Sequence, residues 1–157
     1  MKTITSQIKI EGNAAAIFDL VTTTRFWTAW HPATTGVGGV TQRPFQLGDQ
    51  IRERAQIGAR VHEGTWAVVA HDRPHQATLR MESGRLFITY TFQPTTNGVA
   101  LTRELTYHPT DFAASVADPV KLEMLMLTQS EQALQKLKTL VEQMLATEAT
   151  FAIRVEP

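Results

Sequence analysis

Cysteine is missing from all 157 residues, which removes disulfides, thiolate nucleophiles and cysteine-ligated metals together. Net charge is missing as well. Fifteen basic residues balance fifteen acidic ones, so the totals give no general attraction to nucleic acid or to an anionic membrane. No apolar run reaches the roughly 18 residues of a membrane span. The opening M-K-T-I-T-S-Q-I-K-I alternates where a signal peptide would be continuously apolar. A cytoplasmic protein with no integral membrane association and no nucleic-acid partner is expected. The chain also lacks G-x-S-x-G, H-E-x-x-H and G-x-x-x-x-G-K-[ST], and with them the chemistries those patterns support. His71 and His75 are four apart but flank Pro74, so helical metal-ligand geometry is closed to them. Gly36, Gly38 and Gly39 lack dinucleotide spacing and read as a flexible approach to a strand. Neither a metal nor a cofactor is expected.

What is present is 43% hydrophobic content, enough for one domain with a sizeable core, and ten arginines among the fifteen cations. The chain is organised around a long helical segment from Asp118 to Met144. Asp118 is an N-cap and Pro119 suits the first helical position. Val120, Met124, Leu127, Leu134, Leu137, Val141 and Leu145 then recur at three- and four-residue steps, which assigns them to one face. Such a helix is about 40 Å long, so the rest of the chain must offer an apolar surface of that length.

Upstream, Ile4, Ile8 and Ile10 alternate with polar neighbours as in a half-buried strand. Asn13 caps a short helix through Val21, with Ala14, Ile17, Phe18 and Val21 on one face, and residues 25–31 form a second helical turn stopped by Pro32. From Thr34 onward, alternating runs separated by turn residues predict strands near 35–43, 49–57, 60–70, 76–81, 85–93 and 98–107. Leu86, Ile88, Tyr90 and Phe92 share a face, as do Ala77, Leu79 and Met81, and as do Leu101, Leu105 and Tyr107. Trp66, Val68 and Ala70 are assigned to the same apolar side, with Val69 leaving that strand ambiguous. The expected fold is α+β: a curved, seven-stranded antiparallel sheet wrapped around the long helix, with two short helices after the first strand. A helix against a curved sheet leaves a gap, and apolar gaps with a few polar groups are the usual small-molecule sites.

This order of elements resembles the START-like, birch-pollen-allergen-like helix-grip superfamily (SRPBCC), also labelled the polyketide cyclase/dehydrase and lipid-transport family. The stretches that carry the resemblance are I-K-I-E-G-N-A-A-A-I-F-D-L-V, F-W-T-A-W-H-P, F-Q-L-G-D-Q-I and G-T-W-A-V-V-A-H-D-R-P-H, and the likeness extends to about Leu145. It implies a hydrophobic cavity between the sheet and the C-terminal helix, holding a lipid, polyketide or similar molecule, with Trp27, Trp30 and His31 at its mouth. These motifs are structural, so they speak for the fold more than for a reaction.

Arg103 is in phase with Leu101, Leu105 and Tyr107, which points a guanidinium inward, where it needs a partner. Glu53 has the same relation to Ile51 and Ala55, so either a buried Arg–Glu pair or an arginine awaiting a ligand carboxylate would satisfy the charge. His62, Trp66, Tyr90, Phe92 and Tyr107 complete the ring of inward candidates, and Met124 and Leu127 line the helix side. Leu122, Leu125 and Met126 are apolar outside the main stripe. Arg52, Arg54 and Arg60 read as a solvated sheet face.

Three functions follow as expectations. The first is binding, transport or sequestration of a small hydrophobic or amphipathic ligand. The second is a cyclase, aromatase or hydratase that uses His31, Tyr90 or Arg103 on an aromatic or polyketide-like substrate. The third is a protein-interaction or helper module. The domain is assigned to residues 1–147. In the tail, 148–157, Phe151, Ile153 and Val155 alternate as in an extra strand, for which a homodimer contact is one use.

Overall fold

The computed structural model describes residues 1–155, with side chains described through residue 147. Strand β1 (Lys2–Glu11) leads into helix α1 (Ala14–Thr22), a 3-10 turn (Thr24–Phe26) and helix α2 (Trp27–Trp30). Six strands follow: β2 (Thr34–Gly39), β3 (Gln50–Ile57), β4 (Arg60–Asp72), β5 (Gln76–Met81), β6 (Phe87–Pro94) and β7 (Gly98–Tyr107). A second 3-10 turn (Pro109–Phe112) then connects to helix α3 (Pro119–Val155).

The strands form one antiparallel sheet in the order β1-β7-β6-β5-β4-β3-β2. Each of β2 to β7 pairs with its chain neighbour, while β1 crosses over to pair with β7, from Lys2 opposite Tyr107 to Glu11 opposite Gly98. Alternation places Ile51, Trp66, Val68, Ala77, Leu79, Ile88, Tyr90, Phe92, Leu101 and Tyr107 on the buried side. This is the helix-grip arrangement, with α3 packed against the sheet and running past β1.

The local reasons match the sequence at both helix starts. The Asn13 side chain accepts from the Ala16 amide at 3.0 Å, and Asp118 accepts from the Val120 amide at 2.9 Å. Ile17, Phe18 and Val21 bury the inner face of α1. The Asp19 carboxylate on its outer face takes a two-pronged contact from Arg73 at 2.8 Å for each bond, tying α1 to the turn after β4.

Three expectations are corrected. In α3 the buried residues are Leu122, Met126, Ser130, Ala133, Leu134, Leu137 and Val141, whereas Val120 and Met124 are about two-thirds exposed at 65% and 64%. A stripe phased on apolar residues alone passes over Ser130. With that serine included, the four-residue steps 122, 126, 130 and 134 define the inner face from the first turn. Met124→Gln is therefore expected to shift stability by no more than about 0.5 kcal/mol. A loss of about 2 kcal/mol or more in a denaturant melt would return Met124 to the core.

In β4 a register shift between Val68 and Ala70 leaves Val69 as the extra, exposed residue of a bulge. After it the faces exchange. Ala70 stands opposite Thr78 on the outer side, and His71, opposite the buried Ala77, packs against Phe18 with ring centroids 5.4 Å apart. The bulge is the physical reason for the ambiguity at Val69.

Lastly, α3 continues to Val155, so residues 148–155 are helical and not the anticipated strand. Extending a helix adds one hydrogen bond per residue fixed, and no glycine or proline interrupts the chain before Pro157. Glu156 and Pro157, also assigned to that tail, lie outside the described residues.

Candidate functional site

Two features share the concave face: a polar cluster around Arg103 and a small cavity beside it. Arg103 is 4% exposed, held in the middle of β7 with Leu101 and Leu105 on either side in phase. Its guanidinium donates to Ser130 Oγ of α3 at 3.1 Å and to His31 Nε2, just after α2, at 3.1 Å, and reaches the Tyr90 hydroxyl of β6 at 3.4 Å. Ser130 Oγ lies 2.5 Å from Ser6 Oγ of β1, which extends the network across the helix–sheet seam. Among the described residues no carboxylate forms an ion pair with Arg103.

The donor chemistry of arginine fixes the state of His31. A guanidinium only donates, so Nε2 must present its lone pair and the ring proton sits on Nδ1. Burial lowers the His31 pKa well below its ordinary 6.5, and the Arg103 charge lowers it further, which keeps the ring neutral. Its Nδ1 is shielded from solvent and has no protein partner, and the same holds for the Trp30 indole nitrogen. Burial pushes the Tyr90 hydroxyl pKa up against the opposing pull of Arg103, so Tyr90 stays protonated.

The anticipated Arg103–Glu53 pair is not formed. Glu53 accepts from the Thr34 hydroxyl at 2.6 Å and from the Trp66 indole at 3.1 Å, one bond to each of its oxygens. Gly64 stands opposite Glu53 in the β3–β4 register, and the space its side chain would take is filled by Met81.

A cavity of 240 Å³ opens beside Glu53 on the inner side of the sheet. Ala55, Ile57, Met81, Leu86 and Phe112 supply its apolar walls, and His62, Glu63, Glu82, Ser83 and Asp111 share the lining. His62 Nε2 is 2.7 Å from Ser115 Oγ, which pins the segment after the 3-10 turn over the cavity, and Phe112 packs on the imidazole at 5.2 Å between ring centroids. Burial, and then Arg60, lower the His62 pKa. A more open cleft of 560 Å³ runs along β2–β4, lined by Gly36, Gly38, Arg52, Arg54 and Thr65 among others. It lies at the edge of the sheet, away from α3.

The anticipated site residues therefore divide. His31, Tyr90 and Arg103 come together, and Glu53 and His62 line the cavity. Trp27 and Trp30, 3% and 1% exposed, are core residues that fasten the short helices, and neither lines the cavity. Trp27 spends its N–H on the Val21 carbonyl at 3.1 Å. Trp66 is buried, Phe92 packs against Phe18 at 5.0 Å, and Tyr107 is buried against Phe112 with its hydroxyl unpartnered. Leu127 packs at the margin of the core, while Met124 faces solvent. Ser6, Ser130, Thr34 and Ser115 were not anticipated. For Ser6 the signal was available, since it sits in phase with Ile4 and Ile8.

The element order, the buried helix–sheet interior and its polar cluster can be set against known proteins. The sequence profile described as "Polyketide cyclase / dehydrase and lipid transport" matches residues 1–142. The chain belongs to this family. Among solved structures, TTHA0849 of Thermus thermophilus is similar at a TM-score of 0.72 and 15% identity, over 90% of this chain and 98% of that one. The polyketide-cyclase-like protein Cgl2372 of Corynebacterium glutamicum is similar at 0.63 and 16%, over 91% and 93%. Ara h 8.0201 is similar at 0.62 and 12%, over 90% and 98%. At these identities the likeness is one of fold. No curated protein matched the sequence. Family membership fits a ligand-binding or cyclase-like role without naming a ligand. Among the described residues no helix is long and apolar enough to cross a membrane, and no three His, Asp or Glu side chains group as around a metal ion.

Proposed function

We propose that the protein reversibly binds a small amphipathic molecule in the cavity between strands β3 to β5 and the 3-10 turn that precedes α3; no residue of α3 lines it, in contrast to the expected gap under the long helix. The observation that carries this is the 240 Å³ cavity, in which Ala55, Ile57, Met81, Leu86 and Phe112 share the lining with the polar residues Glu53, His62, Glu63, Glu82, Ser83 and Asp111. Burial of apolar surface drives association at about 25 cal/mol per Å², and the polar lining groups orient the ligand. The volume is just below the ~300–1,000 Å³ usual for ligand pockets, so the fit is to a small ring system or a short chain.

Filling the cavity tests this reading. Ala55 lies on its wall opposite His62 in the β3–β4 register, and Ala55→Phe places a ring into the space. The expected outcome is at least a tenfold loss of affinity for a fluorescent hydrophobic probe, about 1.4 kcal/mol, with thermal stability retained. Unchanged probe binding by a folded Ala55→Phe protein would move the ligand elsewhere.

A cyclase- or hydratase-type activity is supported by one specific observation, the convergence of His31, Tyr90 and Arg103. A neutral imidazole beside a fixed cation and a phenol has the elements of proton transfer with oxyanion stabilisation. None of the three lines the cavity, so this reading requires the substrate to displace packed side chains.

A further inference from the structure

The cavity beside β3 is lined by charge of one sign. Glu53 stands on its wall with the apolar residues, Glu63, Glu82 and Asp111 stand exposed around it, and no lysine or arginine lines it. The remaining titratable group on the wall, His62, has a pKa below 6.5, so at about pH 7 it supplies no balancing charge. The cations of the neighbourhood are engaged elsewhere or turned away. Arg54 pairs with Glu63 at 3.0 Å and Arg85 with Asp111 at 2.8 Å, both among exposed side chains. Arg52 and Arg54 alternate with Glu53 along β3, so they project from the opposite side of the sheet and line the open cleft instead. Arg60 acts on His62 but is exposed at the start of β4 and does not line the cavity.

Glu53 is the carboxylate that this arrangement leaves unbalanced inside. It is half-buried, and the two groups that donate to it, the Thr34 hydroxyl and the Trp66 indole, are both neutral. Among the described residues no cation forms an ion pair with Glu53. A carboxylate offers about four lone-pair sites, so two bonds leave acceptor capacity on the cavity wall. A charge placed there is screened by salt and water less than one at the exposed rim.

We infer that the cavity selects a cationic ligand, a ring or short chain ending in a protonated amine, with its ammonium group on Glu53 and its apolar part against Ala55, Ile57, Leu86 and Phe112. An ammonium group has three donors and no acceptor, which matches a wall whose free capacity at that point is for accepting. Glu63 and Glu82 line both the cavity and the adjoining cleft, so the approach is negative and favours a cation over an anion before contact is made. The inference rests on the binding function proposed above and adds the charge of the head group.

The test uses the full chain and three probes of equal chain length: octylamine, 1-octanol and octanoate. Octylamine keeps its charge at about pH 7, since an alkylammonium titrates near the ~10.4 of lysine. It is expected to bind about tenfold or more tightly than 1-octanol, with octanoate weakest, and Glu53→Gln is expected to erase that order. A second readout uses the unaltered protein, so it does not depend on how the variant folds. The Trp66 indole N–H donates to Glu53, and an ammonium group competing for the same carboxylate weakens that bond. Its resonance, identified with Trp66→Phe, is expected to move upfield with octylamine and to move less with 1-octanol. Equal binding of octylamine and 1-octanol, or tightest binding of octanoate, would overturn the cationic class and leave the cavity function standing. An octylamine preference that survives in folded Ala55→Phe protein would assign it to the exposed carboxylates and overturn the inference as well. Failure of all three probes to bind would remove the binding function and this inference with it.

Discussion

Trp66→Ala is expected to cost about 3–5 kcal/mol of stability, the range for deleting a large aromatic side chain from a core. The residue is 1% exposed, so nearly all of its surface lies against other side chains and the space left behind is closed to solvent. A second cost adds to the first. The Trp66 indole donates to Glu53 at 3.1 Å, and its removal leaves a partly buried carboxylate oxygen short of a donor. Trp66→Phe keeps an aromatic ring but loses the N–H together with part of the indole, and should cost less than the alanine variant, about 2–3 kcal/mol. For a chain of this size, the alanine variant should lower Tm by roughly 6–20 °C. Denaturant melts of both variants check the prediction. A loss below about 1 kcal/mol for Trp66→Ala would mean that the cavity walls collapse to fill the gap.

Acidification is expected to destabilise the protein through His31. Its pKa in the folded protein lies well below 6.5, because burial and Arg103 both disfavour the imidazolium, whereas in the unfolded chain it returns to 6.5. Between those two values the unfolded chain binds the extra proton, so stability is fully present above pH 6.5 and falls as the pH drops towards the folded pKa. The slope approaches about 1.4 kcal/mol per pH unit within that window. His62 is shifted in the same direction and adds to the slope, more weakly because of its greater access to water. Asp49, Asp111 and Glu142 have lowered pKa values from contacts with Arg43, Arg85 and Lys138, and these exposed pairs weaken at still lower pH. His31→Gln, which cannot ionise, should flatten the stability profile between pH 6.5 and about 5. An unaltered profile in that variant would assign the acid sensitivity to other groups.

The fold was readable because β-alternation and turn residues report directly on backbone geometry. Strands β3 to β7 lie within two residues of their expected limits, and Asn13 and Asp118 cap the helices they were assigned. The inward direction of Arg103 was also readable, since period two leaves a residue only two choices of face. Its partners were not. Ser130 comes from α3 and His31 from the end of α2, and nothing local places either beside β7. Alternation gave Glu53 the correct face but could not say that Thr34 and Trp66 would claim its oxygens before Arg103 did. The helix phase held at Leu134, Leu137 and Val141 but failed in the first turns, at Val120 and Met124, for a related reason. Hydrophobicity marks what water avoids, and a serine buried because another serine awaits it carries no such mark.

The crossover that seats β1 beside β7 also dictates an order of events during synthesis. The partner residues are roughly a hundred positions apart in the chain, so the first strand emerges from the ribosome with nothing to pair to. At about 5–20 residues per second, the wait for β7 lasts roughly 5–20 s, and closing so long a loop is slow in its own right. Throughout that interval Ile4, Ile8 and Ile10 lack the strand partner they have in the folded protein. β1 is thus made well before β7 and docks only after it, and it is a segment that a chaperone would meet.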